Sequence, residues 1–186
     1  YKHHKKKWGD PKTFGYKDFI PLFKAEKFNP DEWAELFQKA GAKYVVPVAC
    51  HHDGFAMYDS TYTEWDAVDK GPKQDIIGEL VWACRKRGMK VGLSSHYAMN
   101  WDYYRHSDEF DTSDPAYAGL YNDPHPVGQP PSKKFLEHWY ARTIDMVDKY
   151  QPDILWFDFG FFRPVFEPYR RKIATYYYNQ ALKLDK

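Results

Sequence analysis

Cysteine is nearly missing from this 186-residue chain: there are two, Cys50 and Cys84, too few for a disulfide framework. They leave the compartment unread. An excess of one charge sign is missing as well. The 27 Lys and Arg nearly balance the 26 Asp and Glu, for a net charge of +1. That balance leaves no broad basic face for nucleic acid or a membrane surface. The basic cluster from His3 to Lys7 reads as a solvated helix or loop. No apolar run approaches the roughly 20 residues needed to cross a bilayer. No leader-peptide pattern stands at the start, although the abrupt beginning at Tyr1 is compatible with a removed leader. Chemical signatures are scarce too. No Gly-rich phosphate loop follows any strand, no GxSxG elbow occurs, and no HxxxH or CxxC pair offers metal spacing. No cofactor is expected.

What the chain has is aromatic side chains: 19% of residues, as 16 Tyr, 13 Phe and 7 Trp. Aromatic faces stack on the C–H faces of sugars, and the same composition also serves a plain aromatic core. Hydrophobic residues make up 43%, enough to build a core, and the length suits one domain.

Asn29-Pro30-Asp31-Glu32 opens a helix with an N-cap, a proline at the first position and acids in the first turn. Trp33, Leu36, Phe37 and Ala40 follow at helical spacing, and Gly41 ends it. Tyr44 to Ala49 reads as a strand with a bulge or missing ladder bond at Pro47. His51 to Lys73 is a polar, aromatic loop. Asp75 caps a second helix that closes at Gly88, with Ile76, Ile77, Leu80, Val81 and Cys84 inward, and Lys90 to Ser94 is the next strand. A proline-rich, acidic stretch from Met99 to Ser132 has the length of a lid or binding loop. Lys133 to Tyr150 is a third helix, and Ile154 to Phe157 a short apolar strand expected to be buried on both faces. A fourth helix spans Pro168 to Leu182.

Strands alternating with helices require a parallel sheet with right-handed crossovers. Long loops follow the strands and short ones precede them, as in a (β/α) barrel with its site on the C-terminal face. A doubly wound sheet is the alternative, weakened by the missing phosphate loop. A complete barrel needs about 250 residues, so three strands cannot close. The expectation is an internal piece of a larger barrel, with edges and apolar surface open.

Three strand exits carry the candidate chemistry. Asp158 leaves the last strand beside Trp156, and an Asp there is costly to desolvate unless paired or used. Its bland alternative is a helix N-cap or loop carboxylate. His51 and His52 leave the first strand. On extended backbone they point to opposite faces, so no more than one faces the cleft unless the chain bends. They can contact hydroxyls as neutral imidazoles or simply hold the loop, and adjacent histidines rarely chelate one metal ion. Ser94, Ser95, His96 and Tyr97 leave the middle strand. A triad of Ser95, His52 and Asp158 is conceivable but lacks its elbow. One carboxylate among imidazoles, hydroxyls and Trp suits a sugar subsite where the carboxylate attacks or stabilises an anomeric carbon.

Residues 51–93, from HHDGFAMYDSTYTEW through GPKQDIIGEL to RKRGMKVGL, resemble the α-L-fucosidases of glycoside hydrolase family 29. Residues 16–46 and QPDILWFDFG at 151–160 resemble that family as well. The resemblance implies a partial (β/α)8 TIM-like barrel, its strands 2–4 with flanking helices. It implies retaining hydrolysis of fucosylated glycans or glycoconjugates, with Asp158 as nucleophile and His51, His52 and Trp156 on the fucose. It implies a secreted, periplasmic or lysosomal setting. It also places the first barrel strand before Tyr1 and the acid/base carboxylate beyond Lys186; Glu167 is the candidate inside the chain, set close after Asp158. The chain departs from the family at the middle strand exit, where Ser94 and Ser95 stand in place of two tyrosines and His96 or Tyr97 can substitute in hydroxyl recognition. A glycosidase of altered specificity and a catalytically silent sugar-binding barrel are the alternatives.

Overall fold

The computed structural model describes residues 2–184. Its helices are α1 (Lys2–Trp8), α2 (Pro30–Lys39), α3 (Ile76–Lys86), α4 (Asn100–Tyr103), α5 (Ala118–Tyr121), α6 (Lys133–Tyr150) and α7 (Glu167–Lys183). Its strands are β1 (Tyr44–Val45), β2 (Val48–Cys50), β3 (Lys90–Ser95) and β4 (Ile154–Phe157).

β1 and β2 are the two halves of the strand expected from Tyr44 onward, parted at Val46 and Pro47 because proline has no N–H for the ladder. Pro47 still accepts a bond from Ser94 N at 2.9 Å, so the two halves stay on the same edge of β3. Tyr44 pairs with Lys90 and Val48 with Ser94, both parallel, and a bulge follows before Cys50 meets Ser95. β4 runs parallel along the opposite edge, Gly92 beside Ile154 and Ser95 beside Phe157. β3 is therefore central, with the site-bearing ends of all three strands on one rim. Gly92 permits this spacing: a Cβ there would lie 2.8 Å from Ile154 Cβ and 3.0 Å from Val46 Cγ2.

The helices form where the sequence places them. Asn29 accepts from Glu32 N, Asp75 from Gly78 N and Ser132 from Phe135 N, which starts α2, α3 and α6 respectively. One core joins β1–β3 to α3 and α6 through Ile77, Leu80, Val91, Leu93 and Met146. A second gathers Trp139 of α6, Ile173 of α7 and Phe166 beneath the strand exits. A third packs Ile20, Phe55, Trp65, Leu120 and Tyr121 under the loop after β2.

Three expectations change. β4 is not buried on both faces: Trp156 is 58% exposed, while Phe157 packs on Trp139 of α6. α3 and α6 pack against the sheet through Leu80, Val91, Leu93 and Met146. On α2, Trp33 and Leu36 are 46% and 64% exposed, and the residue it buries is Ala34. The close approach of α2 to α3 favours that small side chain. The stretch from Met99 to Ser132 is not structureless; short α4, α5 and 3₁₀ turns bury Trp101, Leu120 and Tyr121 within it.

Candidate active site

The rim begins with the turn after β2. Gly54 N donates to His51 O at 3.2 Å, and Asp53 Oδ1 accepts from Phe55 N at 2.9 Å, which closes an Asx turn. Gly54 has φ +86°, and a Cβ there would lie 2.6 Å from Leu120 O and 2.8 Å from Asn100 Nδ2. Only glycine fits both the left-handed backbone and that contact. Because the chain bends here, His51 and His52 do not diverge. Their ring centroids are 4.3 Å apart, and His96 from the β3 exit lies 4.7 Å from His51 and 5.5 Å from His52. This turn is the bend that the extended-strand reading left open as its exception.

Asp158 closes the cluster. Its Oδ2 is 3.3 Å from His96 Nδ1, and its side chain keeps 32% exposure against 13% for His96. His96 Nε2 is 2.7 Å from Ser94 Oγ. Ser94 thus acts on the site through His96, being itself 4% exposed. Burial, followed by the charge of neighbouring imidazoles, holds the pKa of both His52 and His96 below the usual histidine value. They are neutral near pH 7, each with one N–H donor and one lone pair.

Trp156 stands on β4 in register with Ser94, its indole exposed beside Asp158 in sequence. Phe159 and Tyr103 edge the rim, 6.2 Å and 5.8 Å from the His52 ring. A cavity of about 410 Å³ adjoins His51, lined by Tyr16, Phe19, Val48, Asp53 and Phe55. A larger hollow of about 610 Å³ lies at the opposite ends of the strands, among Tyr44, Lys90, Ile154 and Tyr177, away from the imidazoles.

Tyr97 is not in the cleft. It is 2% exposed and lies on the α6 side, its OH 3.1 Å from His138 Nδ1 and its ring 4.1 Å beneath the Arg142 guanidinium. The strand alternation stops at Ser95 and a 3₁₀ turn begins at Tyr97, which redirects the side chain. Ser95 is likewise buried, at 3%, and contributes through the ladder. Glu167 is held by Arg170 and Arg171 on the first turns of α7, so it serves that helix.

Two buried residues that sequence reasoning missed hold the rim in place. Asn100 donates from Nδ2 to His52 O at 2.7 Å. Arg142, 2% exposed in the middle of α6, donates from Nη2 to Gly54 O at 3.0 Å and approaches Cys50 Sγ at 3.3 Å. Both clamp the backbone of the His51–Gly54 turn.

A parallel α/β domain with its polar cluster at the C-terminal strand ends has the architecture in which active sites collect at that rim. The particular family follows from comparison: the family model of α-L-fucosidase matches residues 1–186, and the chain belongs to that family. Human plasma α-L-fucosidase is 37% identical over 150 residues, covering 80% of this chain and 29% of that protein. The rat tissue α-L-fucosidase is 38% identical over 156 residues, with the same coverage of 80% and 29%. The Thermotoga maritima α-fucosidase solved in complex with fucose superposes with a TM-score of 0.77 at 34% identity, covering 96% of this chain and 39% of that one. A Bacteroides thetaiotaomicron α-L-fucosidase solved as a trapped covalent intermediate with 2-fluoro-fucosyl fluoride gives a TM-score of 0.55 at 27% identity, over 75% and 29% of the two chains. The chain thus spans less than a third of the length of these curated relatives.

Proposed function

We propose that residues 1–186 form part of the catalytic (β/α) barrel of a retaining α-L-fucosidase that releases terminal fucose from glycans or glycoconjugates. The observation that carries the reading is Asp158 at the β4 exit, half-exposed and 3.3 Å from His96, within a ring of imidazoles. Asp158 attacks the anomeric carbon, the bond to the leaving oxygen breaks, and a fucosyl ester forms. Water then attacks that ester and returns the same anomeric configuration. His96, anchored by Ser94, stands 3.3 Å from the attacking carboxylate and lines the pocket around it. His51 and His52 offer donors and lone pairs to the sugar hydroxyls, and Trp156 offers an exposed ring face. The covalent intermediate trapped in the Bacteroides relative and the fucose bound to the Thermotoga relative support this chemistry.

A retaining enzyme needs a second carboxyl about 5–5.5 Å from the first. Glu167 is engaged on α7, so the acid/base lies outside these residues in this account. The curated relatives are named plasma and tissue enzymes, which supports a secreted, periplasmic or lysosomal setting. No helix among the described residues is long and apolar enough to cross a membrane.

The middle strand exit supports a second, narrower reading. With Ser94 buried and turned to His96, hydroxyl recognition there passes to an imidazole, which favours altered sugar specificity within the same chemistry. NMR of the first-formed product from an aryl α-L-fucoside, using the full-length protein, tests the main reading. Retention with fucosides preferred over other glycosides agrees with it; inversion, or preference for another sugar, overturns it.

A further inference from the structure

The ring nitrogens at the strand exits suit a ligand besides sugar hydroxyls. His52 Nε2 and His96 Nδ1 are buried nitrogens without a hydrogen-bond partner. His51, His52 and His96 each offer a ring nitrogen, and the three lie within 4.8 Å of one another. Neutral imidazole suits Zn, Cu, Fe and Ni, and three histidines with one open position are a recurring zinc donor set. When Nε2–H of His96 donates to Ser94, its Nδ1 lone pair faces the Asp158 carboxylate at 3.3 Å. Two acceptors then confront each other, and a cation between them would satisfy both.

We propose that His51, His52 and His96 bind a divalent transition-metal ion of the zinc–copper class, and that this ion excludes the sugar. The ion is an inhibitor at this site, not a cofactor. Its tetrahedral geometry, with Zn–N near 2.0–2.1 Å, sets nitrogens about 3.3 Å apart, so the rings close by up to about 1.5 Å. His51 is exposed and has room to turn. Calcium and magnesium prefer oxygen cages and do not suit this donor set. The exclusion of sugar rests on the fucoside reading of the cleft; the metal site itself rests on the imidazole geometry alone.

Cobalt(II) titration of the full-length protein, followed by its visible d–d absorption, tests the site. One ion per chain with the intense band of a four-coordinate centre is expected. His51→Ala and His96→Gln should each weaken binding by more than the roughly 10–100-fold typical of losing an outer-shell partner. His3→Ala with His4→Ala, which removes the other adjacent pair, should leave binding unchanged. L-Fucose should displace the ion, and zinc should inhibit aryl fucoside hydrolysis competitively and reversibly with chelator. Binding unaffected by both His51→Ala and His96→Gln overturns the site. Should those variants misfold, the fucose displacement on the unaltered protein decides. Metal and fucose held together without mutual effect overturns the exclusion. Cobalt bound at the three histidines in a protein without turnover would keep the metal site and remove the fucosidase reading. Turnover without cobalt binding would do the reverse.

Discussion

Both buried carboxylates among the described residues are consumed by structure. Asp145 accepts from Thr61 N and Oγ1, and Asp66 accepts from the backbone of Ser60, Val68 and Asp69. Asp158 instead faces an imidazole and keeps open space before it. Asp158→Asn in the full-length protein should lower kcat by roughly 10⁴- to 10⁶-fold, the scale seen when a covalent nucleophile is removed. The thermal midpoint should barely move, since the side chain is part-exposed and holds no backbone group; a loss under tenfold would deny it the nucleophile's role. His138 shows the opposite use of a titratable group. Burial, followed by the Arg142 charge, pushes its pKa down from 6.5 to about 4, while its ring bridges Tyr97 OH and Tyr62 O. Between those values the unfolded chain binds more protons than the folded one, so stability falls as pH drops from about 6.5 towards 4. The loss is about 3 kcal/mol at most, at 1.36 kcal/mol per unit. Denaturant titrations at pH 7 and pH 4.5 should show that slope, and His138→Gln should flatten it; an unchanged slope would show that other groups carry it.

At the scale of elements, the rim depends on two supports. Gly92→Ala pushes a methyl into Ile154 and Val46 across both edges of the central strand. It should cost about 1–3 kcal/mol by overpacking, read as a lowered denaturant midpoint. Arg142→Met removes the donor to Gly54 O and leaves a buried carbonyl unpaired, a cost of about 1–3 kcal/mol. Because that carbonyl ends the turn bearing His51 and His52, KM for an aryl fucoside should rise as well. Stability loss with unchanged KM would make Arg142 a core residue only. These supports also show what sequence reading reaches. Caps such as Asn29, Asp75 and Ser132 act locally, so α2, α3 and α6 were legible almost to the residue. The bend at Gly54 depends on Leu120 and Asn100, far along the chain, so the convergence of the histidines was not. Arg142 hid for a similar reason: in a helical pattern an arginine reads as solvent-facing, and only tertiary packing buries it. Tyr97, offered at the strand exit as a substitute in hydroxyl recognition, is turned away from the rim by the 3₁₀ turn that begins there, a local change the strand exit does not announce.

At the scale of the molecule, the exposed Trp156 and Val48, at 58% and 40%, lie in one register row with Ser94. With three strand positions and one proposed catalytic carboxylate, the isolated 186-residue chain should show no turnover of an aryl α-L-fucoside, while the full-length protein should. Turnover by the isolated chain would refute the requirement for a second carboxyl beyond it. The central claim is that Asp158 forms the covalent bond to fucose. Its most direct test is peptide mass spectrometry of the full-length protein after reaction with 2-deoxy-2-fluoro-fucosyl fluoride. The account predicts a fluorofucosyl adduct on the peptide carrying Asp158; an adduct on another residue, or none under conditions where the enzyme turns over, would contradict it.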